Sequence, residues 1–537
     1  MRNPGRIAIA TIALLAIICI LGLGRPRVQQ TGGLTQSEER GKLIYLKGEA
    51  ADGEIKAVLG DSDLEIPATS FPCANCHGLA GEGSKEGGLQ PPPIDWTTLT
   101  TARTSALTGR ARLPYNEASV AKAIMGSVDP SGTRLHPGMP RFEMTAQQAG
   151  DVIAYLKKIG TESDLDPGLG HTEVTIGAAL PMSGPLSQVG EDIKKTIEAS
   201  FSEVNAKGGI YDRKFKLVVE DTGSLPEGTL EANKKLIEGD HVFALAGSFE
   251  PGDTYSANEL LQQREVPLVG PVTISPHLSV PPNPYVFYLM PGFGDQSRVL
   301  VDYLSKRVPG AGQTVSVRLA VVYARGDFDK DALAGFKAQA ALRSLQIVAE
   351  HPYESGKFDA SLALGSVTVQ KPDYIFFFGA SSDILAFARQ MDAAKSEAGL
   401  LTSLIMLGKE LFSLPQAVAA KTFLAYPSTF PGKTDLENFD QALKSSKVEL
   451  RHPAFQRAAY AASLVLVEGM KKSGSQVTRQ ALIKSLEDIR DFQTGVAPSL
   501  SFGANIRVGS VGSYVVGLDV GSRQIIPLSD WIVPEGY

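Results

Sequence analysis

The sequence predicts a multidomain chain in which a small all-α domain precedes a larger two-lobed α/β domain. Three observations carry this. Two segments with helical apolar spacing, 35–48 and 145–160, lie on either side of a Cys-x-x-Cys stretch. A run without apolar residues in series, "TESDLDPGLGH" (161–171), then breaks the pattern. Beyond it, about 365 residues alternate strand-like and helix-like runs, too many for one covered parallel sheet and enough for two. The expected divisions are 1–34, 35–160, a linker at 161–172, and 173–537.

The chain has 537 residues and a net charge of −6, with 43% hydrophobic and 20% charged residues. That balance is ordinary for folded domains and gives no basic surface for nucleic acid. At the front, "IAIATIALLAIICILGLG" (7–24) is flanked by Arg2, Arg6, Arg25 and Arg27. As a helix it spans about 27 Å, close to the thickness of a bilayer core. A cleaved signal peptide is the competing reading, but it calls for a shorter apolar core and an A-x-A-like site. Cys19 lies in this run, and Ile18 is a poor residue ahead of a lipidated cysteine. An uncleaved anchor is favoured. In either case the chain is exported, and the expected location is a bacterial periplasm with attachment to the inner membrane.

Of three cysteines, Cys73 and Cys76 form the one close pair, in Cys73-Ala74-Asn75-Cys76-His77. C-x-x-C-H is the attachment pattern of c-type haem. Two thioether bonds fix the porphyrin, and the adjacent imidazole of His77 is then held at the iron. A structural zinc site needs further thiolates or imidazoles nearby, and no other cysteine is available. A thioredoxin-like pair needs a βαβ setting, whereas this one follows a loop rich in Gly, Asp and Pro. One covalent haem c is therefore expected, and export suits it, since such haem is attached outside the cytoplasm. Downstream, Thr145 is placed to cap a helix carrying Ala149, Val152, Ile153, Leu156 and Ile159 at helical spacing. Trp96, after "PPPID" (91–95), is expected to cover the haem pocket.

The order of first helix, CxxCH, "PGMPRF" loop and last helix over 35–160 resembles class I cytochrome c. The resemblance implies Met139 as the second axial ligand, through its match to the family's Met-Pro loop. Met144, Met125 and His136 are the rivals. His/Met ligation raises the reduction potential and leaves no open coordination site, so this domain is expected to carry one electron.

In the second domain, strands are expected at 173–180, 214–221, 242–247, 318–324, 374–380 and 404–408, with helices at 189–209, 226–239 and 330–345. The stretches "IGAALPMSGPLSQVG" (176–190), "NAKGGIYDRKFKLVVEDTGSLPE" (205–227), "VPLVGPVTISPHLS" (266–279), "NPYVFYLMPGFGDQS" (283–297) and "LAVVYARGDFDKDALAGF" (319–336) together resemble type I periplasmic solute-binding proteins of the branched-chain amino-acid receptor family. That resemblance implies two Rossmann-like lobes joined by hinge strands, with a ligand clamped at the carboxyl ends of the strands.

It also implies a pocket, and there the sequence departs from the pattern. The loop after the third strand reads Gly247-Ser248-Phe249-Glu250-Pro251, and the usual hydroxyl positions fall on Glu250 and Pro251. The second hydroxyl motif is Thr273-Ile274-Ser275-Pro276, with Ile274 in place of threonine. Phe328 replaces the tyrosine of the second lobe, and Glu410 keeps the acid that meets a ligand amine. Ser183 lies at the cleft edge; Tyr288 and Tyr323 are further candidates. A slip of one or two residues in the correspondence is the competing account. The replacements argue against an amino-acid ligand, because a buried carboxylate without donors is strongly penalised.

No G-x-S-x-G, HExxH or P-loop is present. Three functions follow for comparison. The first is an anchored electron carrier whose binding domain recruits a small solute beside a periplasmic dehydrogenase, another cytochrome or the respiratory chain. The second is the solute receptor of an ABC importer with an accessory haem. The third, a redox enzyme acting on the solute, lacks acid–base residues and is opposed by a six-coordinate haem.

Overall fold

A computed structural model describes residues 34–60, 64–83, 90–104, 109, 111–250, 252, 254–273, 276, 278, 281–307, 317–429 and 436–536. The expected anchor at 7–24, with Cys19, lies outside the described residues. So do Pro251, Ile274 and Ser275, and the side chain of Phe328. Among the described residues no helix is long and apolar enough to cross a membrane. Two compact units are present, one ending at Asp164 and the other starting at Leu165.

The first unit is built on helices Gln36–Lys47 and Ala146–Leu156. Each begins with a reciprocal cap. Thr35 accepts the Glu38 N–H while Glu38 accepts that of Thr35, and Thr145 and Gln148 repeat the exchange. The helices cross at Gly41, where an added Cβ would lie 2.0 Å from the Asp151 carbonyl oxygen. Ser37 and Arg40 clamp the Asp151 side chain, and the Tyr45 and Tyr155 rings pack at a tilt, 5.4 Å apart. All five apolar residues expected to face inward, Ala149, Val152, Ile153, Leu156 and Ile159, are buried. Besides its helices the unit carries a small antiparallel sheet of β1 (Lys56–Val58), β2 (Glu65–Pro67) and β5 (Arg141–Glu143), in the order β2-β1-β5. A two-residue ladder joins β3 (Arg103–Thr104) to β4 (Ala111–Arg112).

Residues 161–172 divide between the units. Asp164 accepts hydrogen bonds from Tyr155 and the Gly160 N–H and pairs with Lys42, all in the first unit. Leu165 and Leu169 pack into the core of the second, where Asp166 accepts the Arg479 N–H.

The second unit has two sheets. The first is all parallel, in the order β10-β9-β8-β6-β7, formed by β6 (Glu173–Leu180), β7 (Lys214–Asp221), β8 (Ala244–Ala246), β9 (Leu268–Val269) and β10 (Val286–Phe287). The second sheet runs β12-β11-β13-β14-β15-β16-β17. Its parallel members are β11 (Arg318–Arg325), β12 (Gln346–Glu354), β13 (Tyr374–Phe378), β14 (Gly399–Ser403) and β15 (Thr422–Tyr426). The antiparallel β16 (Tyr514–Asp519) and β17 (Gln524–Pro527) close its edge.

The lobes are not continuous in sequence. After lobe 2 is built through β15, residues 436–502 return to the core of lobe 1, with helix Pro453–Lys472 packed on helix Ser187–Ala206. The chain then crosses again to supply β16 and β17. Tyr288 and Val508, on two of the crossing segments, pair side by side. The strand expected at 404–408 is corrected: Leu404–Leu407 is a helical turn capped by the Ser403 hydroxyl, and the strand is Gly399–Ser403.

Candidate functional site

Cys73–His77 is a five-residue helix, entered from Pro72 and closed by Gly78 at φ 81°. Residues three apart in a helix are neighbours on one face, so Cys73 and Cys76 share a side. Both thiols are free, neither joined to the other nor elsewhere. His77 is buried, and burial lowers its tendency to protonate, which keeps the imidazole neutral. Its Nδ1 lies 3.0 Å from the Pro92 carbonyl oxygen. A carbonyl only accepts, so Nδ1 carries the proton and Nε2 is left with its lone pair, the form a metal-bound histidine takes. The proline run was expected to lead to a covering tryptophan. Its backbone also orients the histidine, brought close by Gly83, where an added Cβ would lie 2.5 Å from the Pro91 oxygen. Trp96 packs at the margin of the helical core, with the Lys157 ammonium 5.3 Å from its ring centre. The Tyr45 hydroxyl donates to the Gly78 carbonyl at 2.7 Å, tying the motif to the first helix.

Met139 is half-buried between exposed Gly138 and buried Pro140, and its N–H bonds the His136 carbonyl at 2.9 Å. The His136 ring is exposed, its Nδ1 accepting the Gly138 N–H at 3.0 Å as part of the turn. Of the rival methionines, Met144 packs at the core and Met125 is exposed. Two free thiols on one helical face, a neutral imidazole with a free Nε2 and a thioether in a proline-flanked loop are a donor set that fits haem c.

In the second unit the strand orders fix where a ligand sits. Lobe 1 reverses between β6 and β8, lobe 2 between β11 and β13, and ligands of such sheets bind outside the carboxyl ends at these reversals. Ser248 stands at the first of them, buried, its Oγ accepting the Ala179 N–H of β6 at 3.1 Å. Phe249 continues the pairing with Ala179, and the Glu250 N–H reaches the Val272 carbonyl at 3.1 Å. Thr273 follows, half-buried. Ser183 lies beyond β6, exposed, its N–H on Asp221. Against the cost of its desolvation, the Ser183 hydroxyl and neighbouring N–H groups hold the Asp221 carboxyl below the ordinary range. In lobe 2 Phe328 opens the helix after β11, and Glu410 lies half-buried in the turn Gly408–Ser413 after β14. The Tyr288 hydroxyl accepts from Asn258 at 3.0 Å, and Tyr323 is half-buried near the end of β11.

Two features escaped the sequence reading. Glu250 is 3% exposed, and among the described residues neither carboxylate oxygen meets a partner in hydrogen-bond geometry; burial pushes its carboxyl up to about 7. At the start of lobe 2, burial and the neighbouring Asp331 push Asp295 up to about 7, while Ser403 donates to Gln296 at 2.6 Å. No periodicity marks a charge that tertiary packing leaves unpaired.

A family model described as periplasmic binding protein matches residues 173–521, and one described as cytochrome c matches 68–160. The Leu/Ile/Val-binding protein BraC3 of Rhizobium johnstonii is 25% identical over 61% of this chain and 87% of its own. A Leu/Ile/Val-binding protein homolog of Brucella melitensis is 24% identical over 64% and 90%. Among solved structures, a branched-chain amino acid ABC transporter protein of Thermus thermophilus with bound valine aligns with TM-score 0.56 at 17% identity, over 68% of this chain and 98% of that one. A fatty acid ABC transporter substrate-binding protein of Thermomonospora curvata gives 0.55 at 19%, over 69% and 95%. At such identities the structural likeness concerns the fold.

Proposed function

Because this chain belongs to the periplasmic binding protein family and carries a cytochrome c domain ahead of that fold, we propose that it is an exported haem c protein combining one-electron transfer with capture of a small solute, working beside a periplasmic dehydrogenase or the respiratory chain. The observation that carries the electron-transfer half is the Cys73–His77 helix, with the His77 ring oriented by the Pro92 carbonyl. Cys73 and Cys76 would hold the haem through thioethers, and His77 Nε2 and the Met139 sulfur would ligate its iron. So ligated, the haem supplies a one-electron couple with no vacant coordination site. The chain's own part is to fix the imidazole tautomer, exclude water with the Tyr45–Tyr155 core, and present the thioether from a proline-stiffened loop.

The solute half rests on Ser183, Ser248, Glu250, Thr273, Phe328 and Glu410 at the carboxyl ends of strands in two lobes, with Pro251, Ile274 and Ser275 assigned from the sequence alone. Residues 7–24 would hold the protein at the inner membrane on the periplasmic side. The names of the relatives favour a second reading, the receptor of an ABC importer with an accessory haem. A chromosomal Cys73→Ser/Cys76→Ser double variant separates the two. On a carbon source whose use requires this gene, the first reading expects oxygen uptake to fall while labelled-solute import persists. Unchanged oxygen uptake, with import lost on deletion of the gene, favours the importer.

A further inference from the structure

Two buried carboxylates of the second unit are held by basic side chains. Asp192 is gripped by Arg451 and His452, and Asp302 by Arg343 and Gln339. Glu250 has nothing comparable. Its backbone is held at the carboxyl end of β8, one residue beyond the Phe249–Ala179 pairing that marks the strand reversal of lobe 1. Its side chain is enclosed, and among the described residues neither oxygen meets a partner in hydrogen-bond geometry. Among the described residues no cationic group offsets the burial that pushes its carboxyl up, and the Thr254 side chain alone pulls toward the charged form.

A buried acceptor without a donor costs about 1–3 kcal/mol, and more when charged. A fold that pairs Asp192 and Asp302 with basic side chains but leaves Glu250 without one, at the place where open sheets bind ligands, has left it for a ligand to complete. The chemistry of that ligand follows from what the carboxylate lacks. Two oxygens offer about four acceptor sites. An alcohol brings one O–H, whereas an alkylammonium brings three N–H donors and the opposite charge. A ligand carboxylate would bring like charge to a carboxylate that is already buried. We infer that Glu250 is the head-group recognition residue of lobe 1, and that the solute presents to it an ammonium and no carboxylate. This rests on the reading of the second unit as a solute-binding domain.

The test is calorimetry on the full-length holoprotein with three matched series: straight, branched and aromatic alkylamines, the alcohols of the same carbon skeletons, and the amino acids that carry a carboxylate beside the amine. At least one amine is expected to bind about tenfold or more tighter than its matched alcohol and amino acid. Glu250→Gln should lower that affinity at least tenfold with an unchanged haem spectrum, and Glu250→Asp should keep part of the preference. Amine binding unaffected by Glu250→Gln overturns the inference. So does tighter binding of a matched alcohol or amino acid, which leaves the solute-binding reading standing. If no member of any series binds, both fall.

Discussion

The haem-attachment helix and the solute cleft are built on opposite plans. In the first, both thiols and the histidine lie within five consecutive residues, and one backbone carbonyl, that of Pro92, completes the geometry. In the second, candidate residues come from the ends of β6, β8, β9, β11 and β14, on lobes that the chain crosses between repeatedly. A site of contiguous residues bound covalently is set by local chemistry and tolerates little change. A site assembled from distant strand ends keeps its scaffold while single side chains vary, so a single side chain such as Glu250 can change there without loss of the fold.

That contrast is open to attack, and the haem side should give the largest effect. Cys76→Ser should sharply reduce covalently bound haem, measured on denaturing gels stained for haem, while the second unit still unfolds cooperatively. A normal haem yield would break the account of the first site. Met139→Ala should leave attachment intact, lower the reduction potential and abolish the weak far-red band of iron–thioether ligation. If Met144→Ala does this instead, the ligand is misassigned.

The packing around each site is expected to matter more modestly. Gly41→Ala forces a Cβ to within 2.0 Å of the Asp151 oxygen, and overpacking of this kind costs about 1–3 kcal/mol. In scanning calorimetry the transition of the haem unit should fall while that of the solute unit stays in place. The acid response of the solute unit should be smaller still. Burial opposes ionisation of Asp192, but Arg451 and His452 outweigh it and hold the carboxyl below its ordinary 3.8. Its stabilisation is therefore complete above that value and is lost as pH falls through the lower folded value. The wild-type advantage over Asp192→Asn in thermal unfolding should shrink over that acid range and stay level at neutral pH.

Legibility in the sequence divides along the same line. The CxxCH motif, the Thr145 cap and the apolar face from Ala149 to Ile159 were readable because each depends on neighbours in the chain. Strands 173–180 and 214–221 were readable for the same reason, as apolar runs ended by turn residues. The run at 404–408 misled because its leucines and isoleucine suit either structure, and a single side-chain cap from Ser403 decided for a helical turn. The Pro92 carbonyl on His77 and the solitude of Glu250 were not readable: each is a relation between residues that only folding brings together or keeps apart.

The central claim is that the haem of this solute-binding protein is a closed, one-electron site. Exposure of the dithionite-reduced, full-length protein to carbon monoxide tests it most directly by absorption spectroscopy. The account predicts one haem per chain and an unchanged low-spin ferrous spectrum, because His77 and Met139 would both ligate the iron. Rapid formation of a carbon monoxide adduct would contradict it, since that requires an open or readily vacated site on the iron.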